Sequence, residues 1–221
     1  MQNWLESFFV AAEVLGTIAF AAAGAMIAID REMDMFGVLF LGVTAAVGGG
    51  MVRDVLLGVT PPTAFRNPLY VAVAAPVALA VFLFAWLSQR QYRRGYAVMG
   101  QVVNLLDAIG LGVFSVIGVE AALARGHRDN LFLLVFMGMT TGIGGGVLRD
   151  IFSQTIPAVL KKRIYALASI AGSLLYCLQR RAGLSEPLAT GVSMAAVVAI
   201  RMCSTYFRWD LPVVKREPDA K

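Results

Sequence analysis

The chain has 221 residues, of which 58 % are hydrophobic and only 15 % charged, with a mean hydropathy of +0.72. A soluble domain of this length cannot hide so much apolar sequence, so the composition excludes an ordinary globular enzyme and indicates membrane spans. The net charge of +5 does not point to nucleic acid, because the basic residues gather at the ends of apolar stretches, where they act as orienting loop charges.

A helix needs about 20 apolar residues to cross the hydrocarbon, and seven stretches qualify. The first, roughly 8–29, contains "AFAAAGA", which could pass for a signal-peptidase site. Residues 1–7 carry no Lys or Arg, so the basic region of a signal peptide is missing and the span is expected to be retained. Glu13 lies about a turn inside this span. The second stretch, 36–58, contains "VGGGMVRD" at 47–54, and the third, 69–88, is apolar throughout. The fourth, 98–124, holds Asp107 about a turn inside its start and Glu120 near its end, where an interfacial position is expected. The fifth, 131–153, contains "IGGGVLRD" at 143–150. The sixth, 163–179, and the seventh, 188–207, hold Cys177 and Cys203, read as small apolar residues of a helix core. Arg201 in the seventh is expected to snorkel to the cytoplasm beside Arg208. Two scattered thiols and the single loop histidine, His127, make no zinc or iron site, and no hydrolase triad is present. No enzyme activity and no cofactor are expected.

The two glycine motifs belong to a longer repeat. Residues 41–54 and 137–150 align at a constant offset of 96, with seven of fourteen positions identical. Upstream the offset is 94, matching Gly16 with Gly110, Phe20 with Phe114, Gly24 with Gly118, and Glu13 with Asp107. The two-residue change falls in the loops "DREMDM" and "RGHRDN". Downstream, Pro61 meets Pro157, and "RNPLY" faces "KKRIY" with one residue of slippage. Three spans per repeat make the copies enter the membrane from opposite sides. The expected fold is an all-α polytopic membrane protein of seven transmembrane helices: two inverted three-helix repeats, about 5–90 and 97–183, and a seventh helix at about 187–208. These form one transmembrane domain over 1–212, followed by a cytoplasmic tail at 213–221.

Loop charge orients the array. Arg66, Arg125, Arg128, Arg180 and Arg181 lie on the N-terminal side. The other side holds Arg31, Arg90, Arg93, Arg94, Lys161, Lys162, Arg163, Arg208, Lys215, Arg216 and Lys221. Eleven against five places the N-terminus outside and the C-terminus in the cytoplasm, in an inner membrane.

Inverted repeats with weak points at matching positions indicate a midplane binding or permeation site. Each glycine costs about 1 kcal/mol against alanine in a helix, so Gly48, Gly49, Gly50 and Gly144, Gly145, Gly146 are expected to bend or unwind their spans. Arg53 and Asp54, and Arg149 and Asp150, follow one turn later, where an intramembrane charge marks an ion or substrate path by default. Glu13 and Asp107 are secondary candidates. Two other readings stand beside this one: glycines that serve close helix packing, and arginines that snorkel.

At these residues the chain resembles the prokaryotic trimeric intracellular cation (TRIC) channels, a family some of whose bacterial members carry a glycine-transporter label. The resemblance rests on the duplicated GGGxxRD, on "LLDAIGLGVFSVIG" at 105–118 and on "YFRWDLP" at 206–212. It implies a homotrimer in membrane lipid, with one pore per protomer lined by spans two and five and passing monovalent cations, chiefly potassium, with sodium as an alternative ion. No metal beyond the permeating ion is implied. The lysine-containing lipid-binding motif of animal members is not evident. The rival expectation is a secondary transporter for glycine or a similar small zwitterion.

Overall fold

The computed structural model describes residues 2–89, 92, 96–161 and 164–209. Among them are nine helices: α1 (Gln2–Asp30), α2 (Met35–Leu56), α3 (Thr63–Arg66), α4 (Leu69–Leu87), α5 (Tyr96–Leu123), α6 (Leu131–Phe152), α7 (Ala158–Lys161), α8 (Tyr165–Arg181) and α9 (Glu186–Tyr206). Seven are long, and six of these are long and apolar enough to cross a membrane. The remaining long helix, α8, has 17 residues and rises about 25 Å. The long helices match the seven expected spans to within two residues, except that α1 begins at Gln2 rather than near 8. Hydropathy marks the lipid-crossing part of a helix and not its end. The short α3 and α7 were not expected; each occupies the loop after a GGGxxRD helix. The expected tail at 213–221, the last three residues of the 206–212 ending, and the basic residues Arg90, Arg93, Arg94, Lys162 and Arg163 lie outside the described residues.

The repeat is visible atom by atom. Asp34 Oδ1 accepts from Gly37 N at 2.8 Å and Asn130 Oδ1 accepts from Leu133 N at 3.0 Å, so α2 and α6 start on equivalent N-caps. Both end the same way. Val59 N donates to Asp54 O and Thr155 N to Asp150 O, each at 2.8 Å, with the left-handed turn made by Gly58 in one copy and Gln154 in the other. The slippage is placed as well. Pro62 is the extra residue of the first copy, and beyond it Thr63 corresponds to Ala158 as the first residue of its short helix.

Small residues allow the helices to meet closely, as they must where lipid supplies no hydrophobic drive. A methyl on Gly24 would lie 2.9 Å from Leu41 O and 3.0 Å from Gly42 Cα; one on Gly118 would crowd Met137 O and lie 2.8 Å from Gly138 Cα. Each contact is the other shifted by the repeat. Phe20 of α1 stacks on its counterpart Phe114 of α5 with centroids 5.4 Å apart. Phe20 fills the space left by Gly110, while Val113 and Phe114 cover Gly16, so α1 and α5 run antiparallel against each other. The outer faces are apolar, including Phe36 and its repeat equivalent Phe132 at the starts of α2 and α6.

Candidate functional site

The two GGG motifs meet. A Cβ on Gly49 would run into the carbonyl oxygen of Thr141, and one on Gly145 into the carbonyl oxygen of Ala45. The pairs 45/145 and 49/141 show that α2 and α6 cross antiparallel, each with a small-xxx-small pair at the contact. Gly48 packs under Leu148 and Gly144 against Gly49 Cα. The expected interruption is not found: both helices stay α-helical through their triplets. The propensity cost of about 1 kcal/mol per glycine is offset by backbone contacts of the Cα–H···O kind that a side chain would forbid. The third glycine of each triplet faces elsewhere. A methyl on Gly50 would meet only Arg53 Nη2 at 3.7 Å, and one on Gly146 would meet Tyr165 Oη at 3.0 Å, Arg149 Nη2 and Asp107 Oδ1.

Glycines come together, but the charges do not. Arg53 and Arg149 each lie six residues beyond the centre of the crossing, about 9 Å along the helix axis and in opposite directions. They head two separate clusters. In the second repeat, Arg149 Nη1 donates to Asp107 Oδ1 at 2.6 Å and its Nε to Asp150 Oδ1 at 2.9 Å, all three groups buried. In the first repeat, Arg53 Nε and Nη2 donate to Asp54 Oδ1 at 2.9 and 2.8 Å. Glu13, the counterpart of Asp107, is half-buried and lies near Arg53 and Asp54, and among the described residues the ion pair of Arg53 is with Asp54 and not with Glu13. The guanidinium of Arg53 is also more open, with 12 % of its side chain exposed against 4 % for Arg149. Neither arginine snorkels free. A charge this deep needs partners, and each has at least one carboxylate.

Asp54 and Asp150 have a second task. Asp54 Oδ2 accepts from Thr63 N and Asp150 Oδ2 from Ala158 N, both at 2.7 Å. Each carboxylate therefore ties its arginine to the first backbone amide of the following short helix, and α3 and α7 are fixed against the cluster they follow.

Arg201 corrects an expectation. It does not snorkel: it is 2 % exposed, its Nη2 donates to Asn104 Oδ1 at 2.8 Å, and its Cζ lies 4.7 Å from the centre of the Tyr165 ring. Asn104 and Asp107 sit one turn apart on α5, and Tyr165 begins α8 beneath Gly146, so α9 is drawn to the second cluster. Asn104 and Tyr165 were missed by the sequence reading. Tyr165 could have been found from the slipped register, which pairs it with Tyr70. Glu120, expected at the interface, is half-buried. It accepts from Tyr176 Oη and lies 3.9 Å from Arg180, which also pairs with Glu186. Cys177 is buried as expected, whereas Cys203 is exposed on the outer side of α9. Among the described residues no group of His, Cys, Asp and Glu could hold a metal ion.

A family model described as Glycine transporter matches residues 10–86 and 104–181, one segment for each repeat. The chain belongs to this family. Proteins similar to it include the UPF0126 membrane protein YvgT of Bacillus subtilis, 35 % identical over 90 % of this chain and 93 % of that one. The UPF0126 inner membrane protein YadS of Escherichia coli is 36 % identical over 90 % and 91 %. Among solved structures, one described as revealing conductance through TRIC cation channels superposes with a TM-score of 0.82 at 36 % identity, covering 95 % of this chain and 98 % of that chain. A trimeric intracellular cation channel orthologue from Rhodobacter sphaeroides gives 0.80 at 32 % identity, covering 90 % and 98 %. This glycine-transporter family member is a multi-pass membrane protein with the TRIC fold.

Proposed function

We propose that the protein is a monovalent cation channel conducting chiefly potassium, with one pore in each protomer of a homotrimer. It resides in the inner membrane with its N-terminus outside and its C-terminus in the cytoplasm. The observation that carries the reading is the match, over nearly the whole of both chains and above 30 % identity, to solved structures described as cation channels.

The residues give the reading its chemistry. Glu13, Asp54, Asp107 and Asp150 put four carboxylates against Arg53 and Arg149 in the two clusters, an excess of negative charge that favours cations. The ion passes along α2 and α6 on the side of Gly50 and Gly146, beside the closed contact of Gly49 with Thr141. Arg53 and Arg149 hold the carboxylates and gate them. Helix-end carbonyls play no part, because neither helix is broken.

The protein in a planar bilayer under a potassium chloride gradient tests this. Discrete current steps reversing near the potassium equilibrium potential, with no amino acid present, are the expected result. Asp54→Asn with Asp150→Asn keeps shape but removes charge, so current should persist with weaker cation preference. Saturable glycine uptake into proteoliposomes with no unitary current would overturn the channel reading in favour of a carrier.

A further inference from the structure

Helix α8 carries a line of hydroxyls that its repeat equivalent, α4, does not have. Tyr165, Ser169, Ser173 and Tyr176 lie on its buried face, each 2 % exposed or less. Steps of four, four and three residues keep them on one side of the helix. Ser115 of α5 joins the line, with its Oγ 2.6 Å from Ser169 Oγ. Both ends meet carboxylates. At one end Tyr176 Oη donates to Glu120. At the other, Tyr165 Oη and Asp107 Oδ1 lie over Gly146, 3.0 and 3.9 Å from where its Cβ would stand. Asp107 and Glu120 are 13 residues apart on α5, so the line runs about 20 Å along the helix axis. That is about two thirds of the hydrocarbon thickness.

Packing alone does not call for these groups. In the first repeat Ala21, Ala74, Ala78 and Val81 stand at the places of Ser115, Ser169, Ser173 and Tyr176, and Met26 at that of Glu120. One equivalent contact makes the comparison direct: a methyl on Gly42 would crowd Ala78 Cβ, and one on Gly138 would crowd Ser173 Oγ. An alanine methyl fills that space without a polar group to satisfy, whereas a buried hydroxyl with no partner is costly. Ser173 Oγ is such a group, fully buried and with no hydrogen-bond partner among the described residues. It stands one turn from Ser169 and one from Tyr176, steps of about 4.5–6 Å along the axis. A single water making two hydrogen bonds bridges a gap of that size.

We propose that this line is a proton path, linking Glu120 to Asp107 through the hydroxyls of α8 and Ser115, with single waters in the turn-length steps. A hydroxyl is donor and acceptor at once. A proton taken up by Glu120 passes to Tyr176 Oη as that group gives its own onward. The same exchange repeats along the line, and Asp107 receives the last proton. Every hydroxyl keeps its proton count, and one proton has moved from Glu120 to Asp107. Intramembrane carboxylates are the usual ends of such relays. A metal ion cannot follow, because Gly138 and Gly142 press on Ser173 and Ser115 with no room for a methyl. The path does not rest on the channel reading above.

The test is proton entry into proteoliposomes of the full chain, read by a pH-sensitive dye in the lumen. A potassium gradient with valinomycin in every sample sets the same potential whether or not the protein conducts potassium. Entry should exceed that of protein-free vesicles. Ser173→Ala installs the methyl that the first repeat holds there, and Tyr176→Phe keeps the ring without its hydroxyl. Each should slow proton entry by at least about tenfold, the scale of one lost proton-transfer group, and leave potassium currents in planar bilayers unchanged. Two variants at separate links keep the test open if one does not fold. Entry no faster than in protein-free vesicles, or unaltered in both variants, would overturn the proton path and leave the channel standing. Potassium current lost together with proton entry would also overturn it, since the hydroxyls would then serve the fold or the cation path. Proton entry that depends on Ser173 and Tyr176 in a protein without potassium current would overturn the channel reading alone.

Discussion

A methyl group added at Gly49 would run into the Thr141 carbonyl oxygen, whereas one added at Gly50 would meet only Arg53 Nη2 at 3.7 Å. Neighbouring glycines of one motif therefore do different things. Gly49→Ala should force α2 away from α6 and cost about 1–3 kcal/mol. Gly50→Ala should gain up to about 1 kcal/mol of helix propensity. Thermal unfolding in detergent should thus place the first variant below the parent and the second at or above it; equal midpoints would mean that the crossing is looser than described. The arginines separate in the same way. Arg149→Met leaves the buried Asp107 without its arginine, while Asp150 keeps only Ala158 N, and should cost about 3–5 kcal/mol. Arg53→Met leaves Asp54 still bonded to Thr63 N and should cost less. Similar losses for the two variants in the same melting assay would count against the difference between the clusters.

Helices α4 and α8 occupy equivalent places but bury different chemistry. Along one face α8 buries Tyr165, Ser169, Ser173 and Tyr176, and the repeat register sets Ser169 and Ser173 opposite Ala74 and Ala78 of α4. Ser169 Oγ lies 2.6 Å from Ser115 Oγ of α5, which also donates to Leu111 O; the first repeat has Ala21 and Ala74 at these two positions. Glycines of α6 make the room: a methyl on Gly142 would lie 2.6 Å from Ser115 Oγ and 3.1 Å from Ser169 Oγ. Ser115→Ala should strand the Ser169 hydroxyl and cost about 1 kcal/mol, in the range measured for hydrogen bonds between membrane helices. The double variant, Ser115→Ala with Ser169→Ala, should recover part of that loss, since replacing both partners leaves nothing unsatisfied. A double-mutant cycle on unfolding in detergent checks this, and strict additivity would refute it.

At the scale of the whole molecule, orientation rests on charge at the ends of the spans. The loop excess predicts that a cysteine at Lys215 escapes membrane-impermeant labelling in intact cells, and ready labelling there would invert the topology. Cross-linking in native membranes should stop at the trimer. A ladder ending at dimer would remove the homotrimer from the proposed function.

The long helices and the repeat, and the helix ends apart from the start of α1, were legible in the sequence, because lipid imposes length and apolarity locally on each span and because a duplicated segment carries its own alignment. The register even announced the slip that the structure places at Pro62. What each intramembrane residue touches was not legible. Nothing in "GGG" distinguishes a weak helix from a close crossing; only the approach of Ala45 and Thr141 to the opposite glycines decides for packing. Nothing in the seventh span distinguishes an arginine that reaches the lipid surface from one that turns inward. Asn104 and Tyr165, 97 and 36 positions away, decide that for Arg201 by offering an acceptor and a ring inside the protein. Composition and periodicity are properties of a chain segment, and they fixed the spans. Pairing is a property of distance between segments, and the tertiary structure alone set which carboxylate each buried guanidinium meets.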